Sequence, residues 1–156
     1  VAPVFWQGVR VSSTAIRQAL KGGDLEAARG MLGRDYSMSG RVVRGLGLGR
    51  KLGFPTANVN LNRLQTPIDG IFAVRVSGVG PLPRAGVASI GTRPTIGGSE
   101  PLLEVLIFDF DADIYGEYIT VHFVKRLREE RHFADLAAMQ RQMHVDVAAA
   151  RAALSD

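Results

Sequence analysis

The order of apolar and polar positions divides the chain into a helical beginning, a central region of short strands and a helical end. Residues 12–14, SST, precede the run AIRQAL, and Asp24 precedes LEAARGML. Serine, threonine and aspartate are typical of helix N-caps, because their side-chain oxygens accept hydrogen bonds from the first free backbone amides. Gly22, Gly23 and Gly33 follow the two runs and predict where they end. The pattern therefore predicts a short N-terminal helical pair.

From Tyr36 the pattern changes to short β-prone runs separated by glycine and proline. Such runs predict strands, and they lie at 37–44, 70–77, 85–91, 102–109 and 118–125, with a shorter strand expected near Ala57. No helical pattern separates them, which favours an antiparallel barrel or sandwich over a parallel sheet. We prefer the barrel, because about six short strands can close and leave no exposed edge.

After Phe133 apolar side chains recur every three or four residues, which predicts a long C-terminal helix with one apolar stripe. Asp135 is a candidate cap for this helix. The stripe consists of Leu136, Met139, Met143, Val147 and Leu154. The predicted fold class is thus mainly β: a six-stranded antiparallel, Greek-key barrel, with the long C-terminal helix packed on it and the short helical pair before it.

The composition is that of an ordinary globular protein, with 156 residues of which 46% are hydrophobic and 22% charged. Cysteine is absent, which excludes disulfides, thiolate metal sites and a cysteine nucleophile, and fits a cytoplasmic location. No signal peptide is evident and no run reaches the roughly 18 apolar residues of a spanning helix, so we expect no membrane contact. The chain begins with valine, so we expect a piece of a longer protein.

The net charge of +4 is concentrated in one segment. Residues 36–68, here called the basic segment, contain five basic residues and no acidic one, so they carry +5 and the rest of the chain −1. Five of the 18 glycines fall in the same segment, at positions 40, 45, 47, 49 and 53. Glycines let backbone amides approach a ligand and cations attract its oxygens, which suggests a phosphate site. Glycine content alone, however, favours a plain hairpin, and the P-loop spacing is missing.

Two polar residues follow the glycine-rich run, residues 45–51. Pro55 fixes the backbone before Thr56 and Asn58, and alternation along an extended segment directs these two side chains to one face. A hydroxyl and an amide oxygen are hard ligands, which with phosphate oxygens and water could hold Mg²⁺. The alternative is that both side chains satisfy turn hydrogen bonds, which in isolation is the commoner role.

Glu104 is a carboxylate within the apolar run LLEVLI. A partly buried acid is costly unless it is paired or used. It could act as a general base that takes the proton of an alcohol, or it could form an ion pair with Arg93 or Arg75. The sequence leaves these two roles open.

Several ordered motifs resemble one known family. The runs GRVVRGLGLGRKLGFPTANV, GVASIGTRPTIGG, LEVLIFDFDADIYG and LREERHFADL are similar to the riboflavin kinase module of the prokaryotic bifunctional riboflavin kinase/FMN adenylyltransferases, the FAD synthetases. The resemblance covers about residues 36–154, and the Pro-Thr-Ala-Asn tetrapeptide after a glycine-rich loop is its most specific part. It implies a six-stranded barrel that transfers the γ-phosphoryl group of ATP to the 5′-hydroxyl of riboflavin, giving FMN and ADP.

The resemblance also implies roles for individual residues. Thr56 and Asn58 would hold Mg²⁺, with Thr56 also contacting ATP and Asn58 the flavin, and Glu104 would be the catalytic base. The other residues expected to bind ATP are Gly45, Gly47, Gly49, Arg50, Lys51, Asp109 and Tyr115. The remaining flavin contacts are expected from Arg128, Arg131 and Phe133.

The first section resembles a different module of the same family. RVSSTAIRQAL is similar to the closing segment of the adenylyltransferase module, whose remaining motifs are missing. We therefore expect residues 1–34 to be that tail with linker helices and residues 35–156 to be the riboflavin kinase domain. An adenylyltransferase module would be covalently linked in the parent protein, and this chain should not make FAD by itself.

Two other functions compete with the kinase. A small basic β-barrel could bind single-stranded nucleic acid without catalysis, but that mode needs aromatic side chains among the cations, and the basic segment has only Tyr36 and Phe54. It predicts salt-dependent binding of oligonucleotides and indifference to flavin. A docking module with a role in assembly is a third possibility. The kinase hypothesis instead predicts ATP and riboflavin as ligands and no nucleic acid partner.

Overall fold

The computed structural model describes residues 2–44, 53–63 and 65–155. The chain begins with a small hairpin of strands β1 (Phe5–Trp6) and β2 (Val9–Arg10), which the sequence analysis did not predict. Two helices follow, α1 (Ser13–Lys21) and α2 (Leu25–Leu32). The Ser12 and Asp24 side chains accept hydrogen bonds from the amides of residues 15 and 27, each at 3.0 Å, so both predicted caps are confirmed.

The six strands that follow form a closed antiparallel barrel. They are β3 (Tyr36–Val43), β4 (Ala57–Asn60), β5 (Gly70–Ser77), β6 (Arg84–Thr95), β7 (Gly98–Ile107) and β8 (Tyr118–Arg128). Their order around the barrel is β3-β4-β7-β6-β5-β8. Consecutive strands β5, β6 and β7 are neighbours, and β8 returns to lie beside β5, which is a Greek-key arrangement. The predicted fold class is confirmed.

Strands β6 and β7 extend further than the predicted runs 85–91 and 102–109. They continue as a two-stranded ribbon that pairs Pro94 with Ser99, and residues 92–99 are exposed. Proline and glycine in this ribbon suggested a turn, but proline is tolerated where its missing amide faces solvent. At its other end β7 stops at Ile107, two residues before the predicted end.

The barrel interior is filled by alternate side chains of all six strands. Phe72 of β5 and Phe123 of β8 are almost fully buried and meet edge to face, with ring centroids 5.2 Å apart. Burying each such side chain stabilises the fold by roughly 1.5–3 kcal/mol. Leu20, Leu25 and Ala28 of the helical pair belong to the same core cluster, so α1 and α2 pack on the barrel.

Gly40 has a structural role in β3. A Cβ atom at this position would lie 2.1 Å from the backbone oxygen of Asn60 in β4. Only glycine therefore allows β3 and β4 to approach as they do. This glycine was counted among the five of the basic segment, but its position is explained by packing.

The C-terminal helix α3 (Leu136–Leu154) begins at the predicted cap, because Asp135 accepts a hydrogen bond from the amide of Ala138 at 2.8 Å. It contacts the outer face of β5, β6 and β8, and Ala150 and Leu154 are buried there. The predicted stripe is wrong at Leu136, whose side chain is 52% exposed. None of the described helices is long and apolar enough to span a membrane.

Candidate active site

A row of polar side chains crosses the outer face of the barrel. The register pairs Asn58 of β4 with Glu104 of β7, and Glu104 with Ser89 of β6. Directly opposed residues of antiparallel strands point to the same face. Leu103 and Val105, the neighbours of Glu104, are buried in the barrel core, so the Glu104 side chain points outward.

Glu104 is held beside Thr56. The Thr56 hydroxyl donates a hydrogen bond of 3.4 Å to Oε2 of Glu104. Thr56 lies immediately before β4, and Asn58 is two residues further along the chain. In an extended strand this spacing directs both side chains to one face, as the sequence predicts. The structure therefore brings together the three residues that the sequence singled out for the metal and the base.

Burial raises the pKa of Glu104 above its ordinary value, because the surrounding atoms displace water from the charged carboxylate. The hydrogen bond from Thr56 lowers this pKa, and the negative charge of Glu130 raises it further. The ionised carboxylate is thus more basic than that of an exposed glutamate, which is the property that a general base needs.

Two cations, Arg93 and Arg75, were proposed as ion-pair partners of Glu104, and the contacts described for them are with other groups. Arg93 forms an ion pair with Glu100 within the β6–β7 ribbon. Arg75 donates to the backbone oxygen of Leu154 at 3.1 Å. The contacts of Glu104 thus favour the base over the ion pair.

A cavity of about 250 Å³ lies between the outer face of the barrel and α3. Thr56, Glu104 and Glu130 give it a polar side. Its apolar lining comes from the barrel and from α3: Ile71, Val87, Leu106, Met139, Met143 and Val147. An apolar chamber with a few polar groups suits a flat, partly apolar ligand that also carries a polar chain. Three residues of the predicted stripe, Met139, Met143 and Val147, thus line a cavity.

Arg128, Arg131 and Phe133 line the same cavity and are called the arginine wall below. The guanidinium carbons of Arg128 and Arg131 lie 5.8 and 5.2 Å from the centroid of the Phe133 ring. Arg128 also forms a bidentate ion pair with Asp146 of α3, with N–O distances of 2.9 and 2.8 Å. The structure brings three of the four predicted flavin contacts to the cavity that holds Glu104. The fourth, Asn58, lines a neighbouring cavity together with Arg44 and Arg63.

Three further polar residues of this cavity were not predicted from the sequence: Ser89, Glu130 and Asp146. Ser89 Oγ lies 3.4 Å from Glu130 Oε1, and Glu130 also packs against Gly91, where a Cβ atom would lie within 2.6 Å of its carboxyl carbon. Asp146 carried a usable signal, because it is a carboxylate on the buried side of an otherwise apolar helix stripe. Ser89 and Glu130 depend on strand register and loop position, which the pattern does not give.

Asp109 and Tyr115 lie outside this cavity, in the segment after β7. Asp109 has a left-handed backbone (φ 55°) and contacts Arg151 of α3 at 3.3 Å. The ring of Tyr115 lies 4.2 Å from the guanidinium carbon of Arg44. Because Arg44 directly precedes the glycine-rich run, Tyr115 lies near the start of that run.

The glycine-rich run itself, with the predicted contacts Gly45, Gly47, Gly49, Arg50 and Lys51, lies outside the described residues. These contacts stay predictions. At the far end of the run, Phe54 packs edge-on against His144 of α3, with ring centroids 4.8 Å apart. Arg44 and Phe54, which are described on either side of the run, thus lie beside Tyr115 and beside α3, respectively.

The donor atoms near Glu104 fit a magnesium ion that is shared with a substrate. Thr56 and Asn58 offer a hydroxyl and an amide oxygen beside a carboxylate, and all three are hard oxygen donors. Within the described ranges no three His, Asp or Glu side chains cluster as a metal site. The remaining ligands would have to come from phosphate and water, which is how Mg²⁺ binds in many nucleotide sites.

Residues 32–154 match the model of the flavokinase family, described as riboflavin kinase. The chain is 49% identical over 144 residues to the bifunctional riboflavin kinase/FMN adenylyltransferase of Escherichia coli K12, an alignment that covers 92% of this chain and 46% of that protein. The Haemophilus influenzae protein of the same name is 46% identical over 143 residues, with the same coverage. The chain thus spans about half the length of these curated relatives.

Two solved structures are similar to the chain. One, described as a macrolide-efflux protein from Streptococcus pneumoniae, has a TM-score of 0.87 and 37% identity, covering 97% of this chain and 50% of that one. The riboflavin kinase of Trypanosoma brucei has a TM-score of 0.56 and 25% identity, covering 78% of each chain. Together with the barrel and the family match over residues 32–154, these likenesses show that the chain belongs to the riboflavin kinase family.

Proposed function

We propose that the chain transfers the γ-phosphoryl group of ATP to the 5′-hydroxyl of riboflavin, giving FMN and ADP. The observation that carries this proposal is the position of Glu104. Its carboxylate lies at the polar side of a cavity whose other walls are apolar residues and the arginine wall. A flat ring system with a hydroxylated side chain matches that distribution.

Glu104 would accept the proton of the 5′-hydroxyl as its oxygen attacks the γ-phosphorus. The bond between the γ-phosphorus and the bridging oxygen then breaks, and the electron pair leaves with ADP. Phosphoryl transfer depends mainly on positioning and on neutralisation of charge. The hydrogen bond from Thr56 orients the carboxylate for this step.

Thr56 and Asn58 would hold Mg²⁺, which when bound neutralises negative charge on the phosphate oxygens. Thr56 would also contact ATP directly, and Asn58 the ribityl chain of the flavin. Gly45, Gly47, Gly49, Arg50 and Lys51 would surround the phosphates, with bare amides and two cations. The position of Tyr115 beside Arg44 supports a nucleotide contact at this end of the glycine-rich run, and Asp109 would add a second contact.

The flavin ring would lie against Met139 and Met143 on one side and against the arginine wall on the other. Arg128 and Arg131 supply guanidinium groups for the polar edge of the ring, and Phe133 supplies an aromatic surface. Single-stranded nucleic acid is not favoured as a ligand. Such binding needs aromatic side chains among the cations, and the basic segment has only Tyr36 and Phe54.

We also propose the predicted division of the chain, with residues 1–34 as the tail of an adenylyltransferase module and residues 35–156 as the kinase domain. The similarity to bifunctional relatives supports it, and so does the end of α2 at Leu32. A linked adenylyltransferase module and a cytoplasmic location belong to the same proposal.

The test is formation of FMN by the purified chain with ATP, Mg²⁺ and riboflavin, followed by chromatographic separation of the flavins. The wild type should form FMN. Glu104→Gln should keep the shape of the side chain but remove the base, and turnover should fall by about 10²–10⁴-fold. Glu100→Gln is the matched control, because Glu100 lies on the same strand but pairs with Arg93.

Failure of the wild type to form FMN at any Mg²⁺ concentration would contradict the proposed function. A Glu104→Gln variant that works at the wild-type rate would remove Glu104 from the role of base. A large loss of turnover in Glu100→Gln would show that the assay responds to any change in β7.

A further inference from the structure

Two side chains of α3 hold both cations of the arginine wall. Gln142 and Asp146 are one helical turn apart and lie on the same face of α3. Asp146 accepts from Arg128, and Gln142 Oε1 accepts from Arg131 at 2.5 Å. Gln142 Nε2 in turn donates to Asp146 at 3.0 Å. The four side chains form one continuous hydrogen-bonded chain behind the cavity.

Asp146 is the member with the largest cost of burial. It is 6% exposed, and among the described residues it is the one buried charged side chain. A buried carboxylate is tolerated when its charge and its lone pairs are satisfied. Here the fork of Arg128 meets both carboxylate oxygens, and the amide of Gln142 adds a third bond. Asp146 of α3 is therefore bonded directly to Arg128 and, through Gln142, to Arg131.

Arg128 is fixed at all three of its nitrogen positions. Nε and one terminal nitrogen donate to Asp146, and the other terminal nitrogen donates to the backbone oxygen of Glu129 at 2.9 Å. A long arginine side chain otherwise samples many rotamers, and ordering it on binding weakens affinity. In this arrangement its remaining hydrogens and its flat face are already directed before a ligand arrives.

We propose that Asp146 and Gln142 are positioning residues that preform the arginine wall and thereby set the affinity for the flavin. This inference rests on the proposed function for the identity of the ligand. Gln142 does not line the cavity, and Asp146 lines it with both carboxylate oxygens already bonded to Arg128 and Gln142, so both residues act through the arginine wall. Glu104 and Thr56 form the separate polar side of the cavity. Loss of either positioning residue should therefore weaken riboflavin binding and leave the phosphoryl transfer step intact.

The test compares Asp146→Asn and Gln142→Ala with the wild type in two measurements. Quenching of riboflavin fluorescence gives the dissociation constant, and initial rates give kcat and the KM values for riboflavin and ATP. Asp146→Asn keeps the shape but removes the charge, and should raise the riboflavin Kd and KM roughly tenfold. The ATP KM and kcat should stay within about twofold of the wild type.

Asp35→Asn is the matched control. Asp35 pairs with Arg29 at 3.4 Å, near the helical pair and outside the cavity, so this change also removes the charge of an arginine partner. It should leave the riboflavin Kd unchanged. Gln142 is only half-buried, so Gln142→Ala should fold even where Asp146→Asn does not, and it should raise the riboflavin Kd about threefold.

An unchanged riboflavin Kd in both folded variants would overturn the inference, as would a fall in kcat at constant riboflavin Kd. A wild type that binds riboflavin but forms no FMN would contradict the proposed function, and the binding comparison would still test the two residues. A wild type that does not bind riboflavin would overturn both.

Discussion

Glu104 combines two properties that conflict in a residue with only a structural role. Its neighbours Leu103 and Val105 hold it rigidly in β7, and its own carboxylate is partly withdrawn from water. Withdrawal of an ionised group from water opposes folding, and the bond from Thr56 offsets only part of that cost. An uncharged residue would suit the strand better. The site thus keeps a destabilising group in the place where a proton acceptor is needed.

The rate should depend on pH through this group. Glu104 acts as a base only when it is ionised, and burial raises the pKa of its carboxyl above the ordinary value. Activity should therefore fall as the pH drops through this raised pKa, at a higher pH than for an exposed glutamate. Glu130, Arg128 and Arg131 line the same cavity, and of these the negative charge of Glu130 raises the pKa of Glu104 further.

The measurement is kcat/KM for riboflavin against pH, at saturating ATP and Mg²⁺. Thr56→Val removes the hydrogen bond that lowers the pKa of Glu104, so its acidic limb should move to still higher pH. A profile that is flat down to the pKa of an exposed glutamate would contradict the role of Glu104 as base.

The contacts of the site depend on the pairing of elements that are distant in sequence. Thr56 and Glu104 are 48 positions apart and meet because β4 lies beside β7 in the barrel. The close approach of β3 to β4 at Gly40 fixes the position of β4 on its other edge. The position of Thr56 relative to Glu104 thus depends on how closely β3 packs against β4, the strand beside β7.

Gly40→Ala should weaken the barrel at this point. The new Cβ would collide with the backbone oxygen of Asn60, so β3 and β4 must separate. The free energy of unfolding should fall by about 1–3 kcal/mol, as for other overpacked sites, and denaturant unfolding followed by circular dichroism would measure it. Gly80→Ala is the control, because a Cβ there meets nothing within 4 Å. Equal stability of the two variants would contradict the packing role of Gly40.

The sequence predicts the elements well and the site in part. Short β-prone runs located all six barrel strands. Glu104 stood out as a carboxylate in an apolar run, and Thr56 and Asn58 as hard oxygen donors that alternate after Pro55. Asp146 was overlooked because the stripe of α3 was interpreted as apolar throughout, and Leu136 was wrongly included because only the later part of the helix packs on the barrel. Ser89 joins the site through strand register, which alternation alone does not specify.

At the scale of the whole molecule, the fold gives the uneven charge a location. The basic segment, residues 36–68, contains β3 and β4, and β4 contributes Asn58 to the row that contains Glu104. Two of the segment's described cations, Arg44 and Arg63, line a cavity together with Asn58, on one side of the candidate site. A polyanionic nucleotide would be attracted to that side, while the flavin would enter between the barrel and α3.

The most direct test of the central claim is to follow the terminal phosphate of ATP. The chain is incubated with riboflavin, Mg²⁺ and ATP labelled in the γ-phosphoryl group, and flavins, nucleotides and inorganic phosphate are separated. The proposed function predicts label in FMN, with one ADP formed for each FMN. Label that remains in ATP, or that appears only in inorganic phosphate, would contradict it.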